Sequence, residues 1–218
     1  MDTLAELSNK LIEGDDERVG ALTQQAIDED LAPQRILNEG LIAGMTVIGD
    51  RFKAHEIFLP DVLMAAKAMY AGMERLKPLL IRDGVPSLGT IVIGTIQGDL
   101  HDIGKNLVGI MLRGAGFDVI DLGNDVAPQR FVEAAREHRA RLIGLSALLT
   151  TTMSGMAQVV DLVREEGLSG RVKIIIGGAP VSEEFARRIG ADAYGYDSAN
   201  AVDLARTLLR ETGHEAAS

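Results

Sequence analysis

From residue 88 onward the chain alternates short, almost wholly apolar runs with amphipathic stretches, and few folds satisfy that pattern. The runs at 90–95, 117–122, 142–146, 172–176 and 191–196 are strand length and carry apolar side chains at nearly every position. A strand apolar on both sides must be covered on both sides, which places it in a parallel sheet between two layers of helix. The intervening segments at 103–112, 128–138, 152–166, 182–189 and 199–210 supply those helices. The expected fold over 88–212 is therefore α/β and flavodoxin-like (Rossmann-like), with a five-stranded parallel sheet.

Residues 1–83 contain no strand-like run and show helical periodicity instead. Leu4, Leu7, Leu11 and Ile12 share one face of a first helix. Asp15 or Asp16 caps a second, which carries Val19, Leu22, Ala26 and Ile27. Pro33 suits the first turn of a third, with Ile36, Leu37, Leu41, Met45 and Ile48. Pro60 opens a fourth through Val62, Leu63, Ala66, Met69, Met73 and Leu76, and Met64, Met69 and Met73 read as fillers of core gaps. Four such helices pack as a bundle. The breakers in Arg82-Asp83-Gly84-Val85-Pro86-Ser87 mark a linker between the two regions.

Composition removes several function classes. A formal net charge of -10 opposes binding to nucleic acid or to an anionic membrane surface. With no cysteine, disulfides, Cys-ligated zinc, iron–sulfur clusters and thiol nucleophiles are excluded, and a cytoplasmic location fits. Met1-Asp2-Thr3-Leu4 has neither the basic start nor the apolar stretch of a secretory leader. No apolar run approaches the roughly 18 residues of a membrane span.

In an open parallel sheet, ligands sit at the carboxyl ends of the strands where strand order reverses, which for the order 2-1-3-4-5 lies between strands 1 and 3. The loop after strand 1 holds Gly98, Asp99, Leu100, His101, Asp102, Ile103 and Gly104. The loop after strand 3 runs Ser146-Ala147-Leu148-Leu149-Thr150-Thr151-Thr152. Gly177-Gly178 follows strand 4. Singly, His101 reads as a surface histidine, Asp99 as a helix cap and the glycine pair as a turn. Their convergence on one edge of the sheet makes them candidates for a binding site.

These residues resemble a known pattern. The cobalamin-binding fold shared by methionine synthase, the B12-dependent mutases and the small methyltransferase corrinoid proteins carries Asp-x-His-x-x-Gly, then Ser-x-Leu, then Gly-Gly. Here Asp99-x-His101-x-x-Gly104 is followed, after residues 105–145, by Ser146-x-Leu148 and, after 149–176, by Gly177-Gly178. Phe52 and Phe58-Leu59-Pro60 resemble the cap segment that precedes the domain in those proteins. The resemblance spans nearly the whole chain.

The resemblance implies a cobalamin-type corrinoid that cycles between methylcob(III)alamin and cob(I)alamin. His101 would be the lower axial ligand to cobalt, with Asp99 accepting its other ring N–H and fixing the tautomer. The hydroxyl of Ser146 or of Thr152 would extend the hydrogen-bonded relay; methionine synthase has serine at what looks like the Thr152 position. Gly94, Gly104, Gly177 and Gly178 would open a slot for the displaced nucleotide tail, lined by Ser146 and Thr150. Phe52 and Leu59 would shield the upper face, and Glu39 would hydrogen-bond nearby. No module for a methyl donor is visible, so the expected role is a methyl carrier, not an enzyme on its own. Its implied partners are a substrate:corrinoid methyltransferase of methylamine, methanol, betaine or methoxyaromatic type, a corrinoid:acceptor methyltransferase using tetrahydrofolate or coenzyme M, and a reductive activase. Methylamine systems are the first choice. A cobalamin-dependent sensor is the alternative, but such regulators add a DNA-binding module, and residues 1–80 are used up by the bundle. A phosphoacceptor domain with Asp99 as its acid would need an acceptor Asp after strand 3, where Ser146 stands instead.

Overall fold

The computed structural model describes residues 2–215; Met1, the first residue of the expected helical region, lies outside them. The chain forms two compact units that part between Ser87 and Leu88, and the short segment Gly114–Gly116 groups with the first.

The first unit is helical. It contains α1 (Thr3–Ile12), α2 (Asp16–Asp28), α3 (Pro33–Arg35), a π-helical stretch (Ile36–Ile42), α4 (Ala43–Lys53) and α5 (Leu59–Arg82). Of the two candidate caps, Asp15 does the capping: its carboxylate accepts from the Arg18 amide at 3.0 Å. Leu4, Leu7 and Leu11 of α1 are buried, as the helical spacing predicts. The expected third helix is interrupted by the π-helical turns, which periodicity does not signal. Gly40 and Gly44 lie along that run, and a Cβ at Gly40 would stand only 2.5 Å from Leu7 Cδ2, so the backbones of the two helices meet closely. The expected core role of Met64 is incorrect. It and Leu63 lie on the exposed side of α5, whereas Met69 is buried, because consecutive positions 63 and 64 fall outside the buried stripe of Val62, Ala65, Ala66 and Met69.

The second unit is a parallel sheet of five strands in the order β2-β1-β3-β4-β5. Its elements alternate as β1 (Thr90–Thr95), α6 (Ile103–Gly114), β2 (Asp118–Asp121), α7 (Pro128–Glu137), β3 (Leu142–Ser146), α8 (Ser154–Glu165), β4 (Lys173–Gly177), α9 (Glu183–Ile189), β5 (Ala193–Gly195) and α10 (Ser198–Glu215). Val92, Ile143, Ile174 and Ile176 form a core with Phe131 of α7 and Val159 of α8. The register places Thr95, Ser146, Gly177 and Gly195 side by side in one row at the carboxyl edge. Three motifs separated by dozens of residues therefore begin at the same level of the sheet. Among the described residues no helix is long and apolar enough to cross a membrane.

Two of the glycines expected to open a ligand slot serve the fold. A Cβ at Gly94 would lie 2.7 Å from the Phe131 ring, so this glycine lets α7 seat on β1. Gly178 has φ +128°, and a Cβ there would collide with the Ala147 carbonyl oxygen. The loops after β3 and β4 can meet only because that position has no side chain. Gly178→Ala is expected to lower unfolding free energy by more than about 2 kcal/mol in urea titration. A change within experimental error would show that the two loops separate at little cost.

Candidate functional site

The site begins with a turn. Gly98, at φ +86°, reverses the chain after β1, and the Asp99 amide donates to the Ile96 carbonyl at 3.1 Å. This folds the Asp99 side chain inward, where it is 0% exposed. A buried carboxylate must be fully hydrogen-bonded to remain charged. Its Oδ1 accepts from the His101 amide at 3.0 Å and from His101 Nδ1 at 2.7 Å. Its Oδ2 accepts from the amides of Leu148 at 2.6 Å and Leu149 at 3.1 Å. Asp99 thus ties the loop after β1 to the loop after β3, a different role from the helix cap that its position before α6 allows.

Burial alone would raise the carboxyl pKa of Asp99. The hydrogen bonds from the Leu148 amide, the His101 amide and ring, and the Leu149 amide outweigh it and hold the group at about 2. A carboxylate only accepts, so His101 Nδ1 carries the hydrogen, and in the neutral ring Nε2 is the nitrogen with the lone pair. The His101 side chain is 54% exposed, and the Thr95 hydroxyl donates to its carbonyl at 2.9 Å. The result is an imidazole of fixed tautomer presenting one free nitrogen.

Of the two hydroxyls considered for the relay, that of Thr152 stands beside Asp99. It lies 3.4 Å from Oδ2 and 2.9 Å from the Leu149 carbonyl. A hydroxyl has one hydrogen, and the shorter contact takes it, so the strong donors to Oδ2 are the two amides. Ser146 ends β3, and its carbonyl accepts from the Ile96 amide at 3.0 Å. Leu148 and Thr150 are exposed on the same loop, while Asp102 is half-buried and its carbonyl accepts from the Asn106 amide. Gly177 lies against β5, where a Cβ would be 3.0 Å from the Gly195 carbonyl oxygen. Gly104 is unlike the others: a Cβ there would meet nothing within 4 Å. Leu100 and Ile103 flank His101 with exposures of 70% and 73%.

Three residues proposed for the site lie in the helical unit. Phe52 is half-buried near the end of α4, and Leu59 is half-buried at the start of α5. Glu39 sits on the π-helical stretch with both carboxylate oxygens taken by Arg35, each at 2.9 Å.

The loop after β2 escaped the sequence reading. Asp125, at φ +54°, accepts from the Gly98 amide at 2.8 Å and donates its own amide to the Asp99 carbonyl at 3.1 Å. Asn124 Nδ2 donates to the Leu100 carbonyl at 3.1 Å. The signal was present: Gly123-Asn124-Asp125 is a left-handed turn sequence beside the switch point.

The depressed pKa of Asp99 makes stability pH-dependent. Because the folded value lies below the unfolded value of about 4, the stabilisation is complete above that pH and is lost as pH falls through about 2. Asp99→Asn is expected to cost about 2 kcal/mol at neutral pH and to flatten the difference between the two proteins over that acid window. Parallel acid limbs for wild type and variant in urea unfolding would contradict this account.

Comparisons with known proteins show the family. Residues 89–205 match the B12 binding domain family, and residues 3–77 match a second family also described as B12 binding domain. The dimethylamine corrinoid protein of Methanosarcina barkeri is 46% identical over 207 residues, covering 94% of this chain and 97% of that protein. A corrinoid protein of Desulfitobacterium hafniense strain Y51 is 43% identical over 212 residues, 96% of this chain and 98% of that protein. A crystal structure of the methanol:cobalamin methyltransferase complex from Methanosarcina barkeri contains a chain that superposes with a TM-score of 0.87 at 31% identity, covering 96% of this chain and 80% of that one. On the sequence of both regions and on the parallel sheet that carries Asp99 and His101, this chain belongs to the B12-binding corrinoid proteins.

Proposed function

We propose that the α/β unit holds a cobalamin-type corrinoid with His101 Nε2 as the lower ligand to cobalt, and that the protein carries a methyl group between two methyltransferases. One observation carries the ligand assignment: the imidazole is fixed at Nδ1 by a buried carboxylate and free at Nε2, amid exposed Leu100, Ile103, Leu148 and Leu149. One free imidazole nitrogen would suit the cobalt of a corrinoid as a ligand. Exposed aliphatic side chains around it suit the apolar face of such a ring. Gly104 also fits. Helices favour Ala over Gly, yet this helical position keeps free the volume a methyl would take.

The bound corrinoid supplies a cobalt centre that takes up and gives up a methyl cation. The chain's own residues supply the rest. Asp99 orients the ring and fixes its tautomer. Were the ring to leave the cobalt, Nε2 would be the atom open to a proton, with the Asp99 carboxylate on the ring's other nitrogen. Asp99 itself stays ionised, because its hydrogen bonds hold the carboxyl far below neutral pH.

For the substrate we assign a methylamine-type methyltransferase as donor partner, supported by the 46% identity to a dimethylamine corrinoid protein. A second methyltransferase would pass the methyl group to tetrahydrofolate or coenzyme M, and a reductive activase would restore oxidised cobalt.

Apoprotein mixed with hydroxocobalamin and desalted is expected to retain the corrinoid stoichiometrically. Its visible spectrum should differ from that of loaded His101→Ala. No retained corrinoid overturns the proposal, and identical spectra overturn the ligand assignment. Gly104→Ala separates binding from folding: unfolding free energy should stay level or rise by at most about 1 kcal/mol while corrinoid retention falls. Undiminished retention would remove Gly104 from the site. For the donor, reduced holoprotein is expected to be methylated by dimethylamine in the presence of a dimethylamine methyltransferase; methylation by methanol with its methyltransferase, and not by the amine, would reassign it.

A further inference from the structure

The ammonium of Lys105 is buried, with its side chain 4% exposed. Lysines are rarely found so deep unless paired, and this one is fully paired. Its Nζ donates to both carboxylate oxygens of Asp121 at 2.7 Å and to the Asn106 side-chain oxygen at 2.7 Å. Removing an ammonium from water costs several kcal/mol, so such a pair is weak evidence for added stability. What it does fix is geometry, since three acceptors at short distance admit one arrangement.

The arrangement it fixes is the loop after β2. Asp121 is the last residue of β2 and also accepts from the Gly123 amide at 2.9 Å. The Gly123 carbonyl accepts from the Thr95 amide at 2.9 Å, and the Val126 amide donates to the Thr95 carbonyl at 3.0 Å. Between those anchors, Asn124 and Asp125 hold Gly98, Asp99 and Leu100 by their backbones. Lys105 itself stands in the first turn of α6, which begins two residues after His101. The bonds thus close a ring: from His101 into α6, across Lys105 to Asp121, along the loop to Asn124, and back to Leu100.

We propose that the Lys105–Asp121 pair is a positioning device for His101, acting through Asn124 and Asp125 to set how well the imidazole meets the cobalt. Neither partner touches His101 in this ring. The pair fixes Asp121 at the start of the loop whose Asn124 and Asp125 hold the turn, so loss of Lys105 loosens the grip on Leu100 and lets the His101 backbone drift. This inference rests on the reading of His101 as the lower ligand.

The test uses the full chain loaded with hydroxocobalamin, read by visible absorption as the ratio of imidazole-ligated to unligated cobalt. Lys105→Met is expected to lower that ratio roughly tenfold, the scale of effects outside the ligands themselves. Asn124→Ala, which removes the link to Leu100 without disturbing the buried pair, should shift it in the same direction. The double variant should fall no further than the larger single change, because both cut one ring. Val159→Ala in the core, which lowers thermal stability without touching the ring, should leave the ratio unchanged. An unchanged ratio in Asn124→Ala overturns the proposal even if Lys105→Met fails to fold, and so does an equal shift in Val159→Ala. If wild type shows no imidazole ligation, the reading of His101 fails instead, and the two failures are told apart by that control.

Discussion

A carboxylate without water must find its donors inside the protein, and Asp99 finds them on two loops at once. Two of its donors belong to His101 and two to the backbone after β3. This one group fixes the turn after β1, draws the switch-point loops together, sets the imidazole tautomer and keeps a negative charge behind the ring. Each consequence depends on Asp99 being ionised, and the same donors ensure that it is. Stability and ligand presentation are therefore one interaction viewed from its two oxygens: Oδ1 serves the ring and Oδ2 serves the fold.

This arrangement suits the proposed carrier, with His101 as the ligand to its metal. A carrier must hold its metal firmly in one state and loosely in another, and a ligand on an exposed loop can move where one on a strand cannot. The His101 ring is half exposed while its anchor is not. Around it, the loop after β2 restrains the backbone of the turn. On the proposed reading, the chemistry of methyl donor and acceptor falls to other proteins; the chain's relatives include a dimethylamine corrinoid protein and a chain of a methanol:cobalamin methyltransferase complex.

The sheet was legible because its inner strands β1, β3 and β4 are largely buried and so read as continuous apolar runs. Ser146 and Gly177 were legible as partners of the strand 1 loop because parallel register levels them with Thr95. What stayed hidden depends on contacts between segments distant in sequence. Nothing local to Gly94 says that Phe131 will lie against it, so a packing glycine looked like part of a ligand slot. Nothing local to Lys105 or Asp121 says that the fold will bring them to 2.7 Å. The π-helical stretch at Ile36–Ile42 keeps the composition of an α-helix, so periodicity could not show it. Thr152 was chosen for its hydroxyl, whereas the backbone amides of Leu148 and Leu149, invisible to residue type, do the bonding to Asp99.

The central claim is that a nitrogen of this protein, not one of the cofactor, binds the lower face of cobalt. Electron paramagnetic resonance of the cobalt(II) holoprotein tests it, using unlabelled cobalamin and protein grown with nitrogen-15 histidine. The account predicts that the nitrogen splitting changes from the three-line pattern of nitrogen-14 to the two-line pattern of nitrogen-15 on labelling, and that the change is absent in His101→Ala. A three-line pattern that persists in the labelled wild type would mean that the cofactor keeps its own base, and would contradict the account.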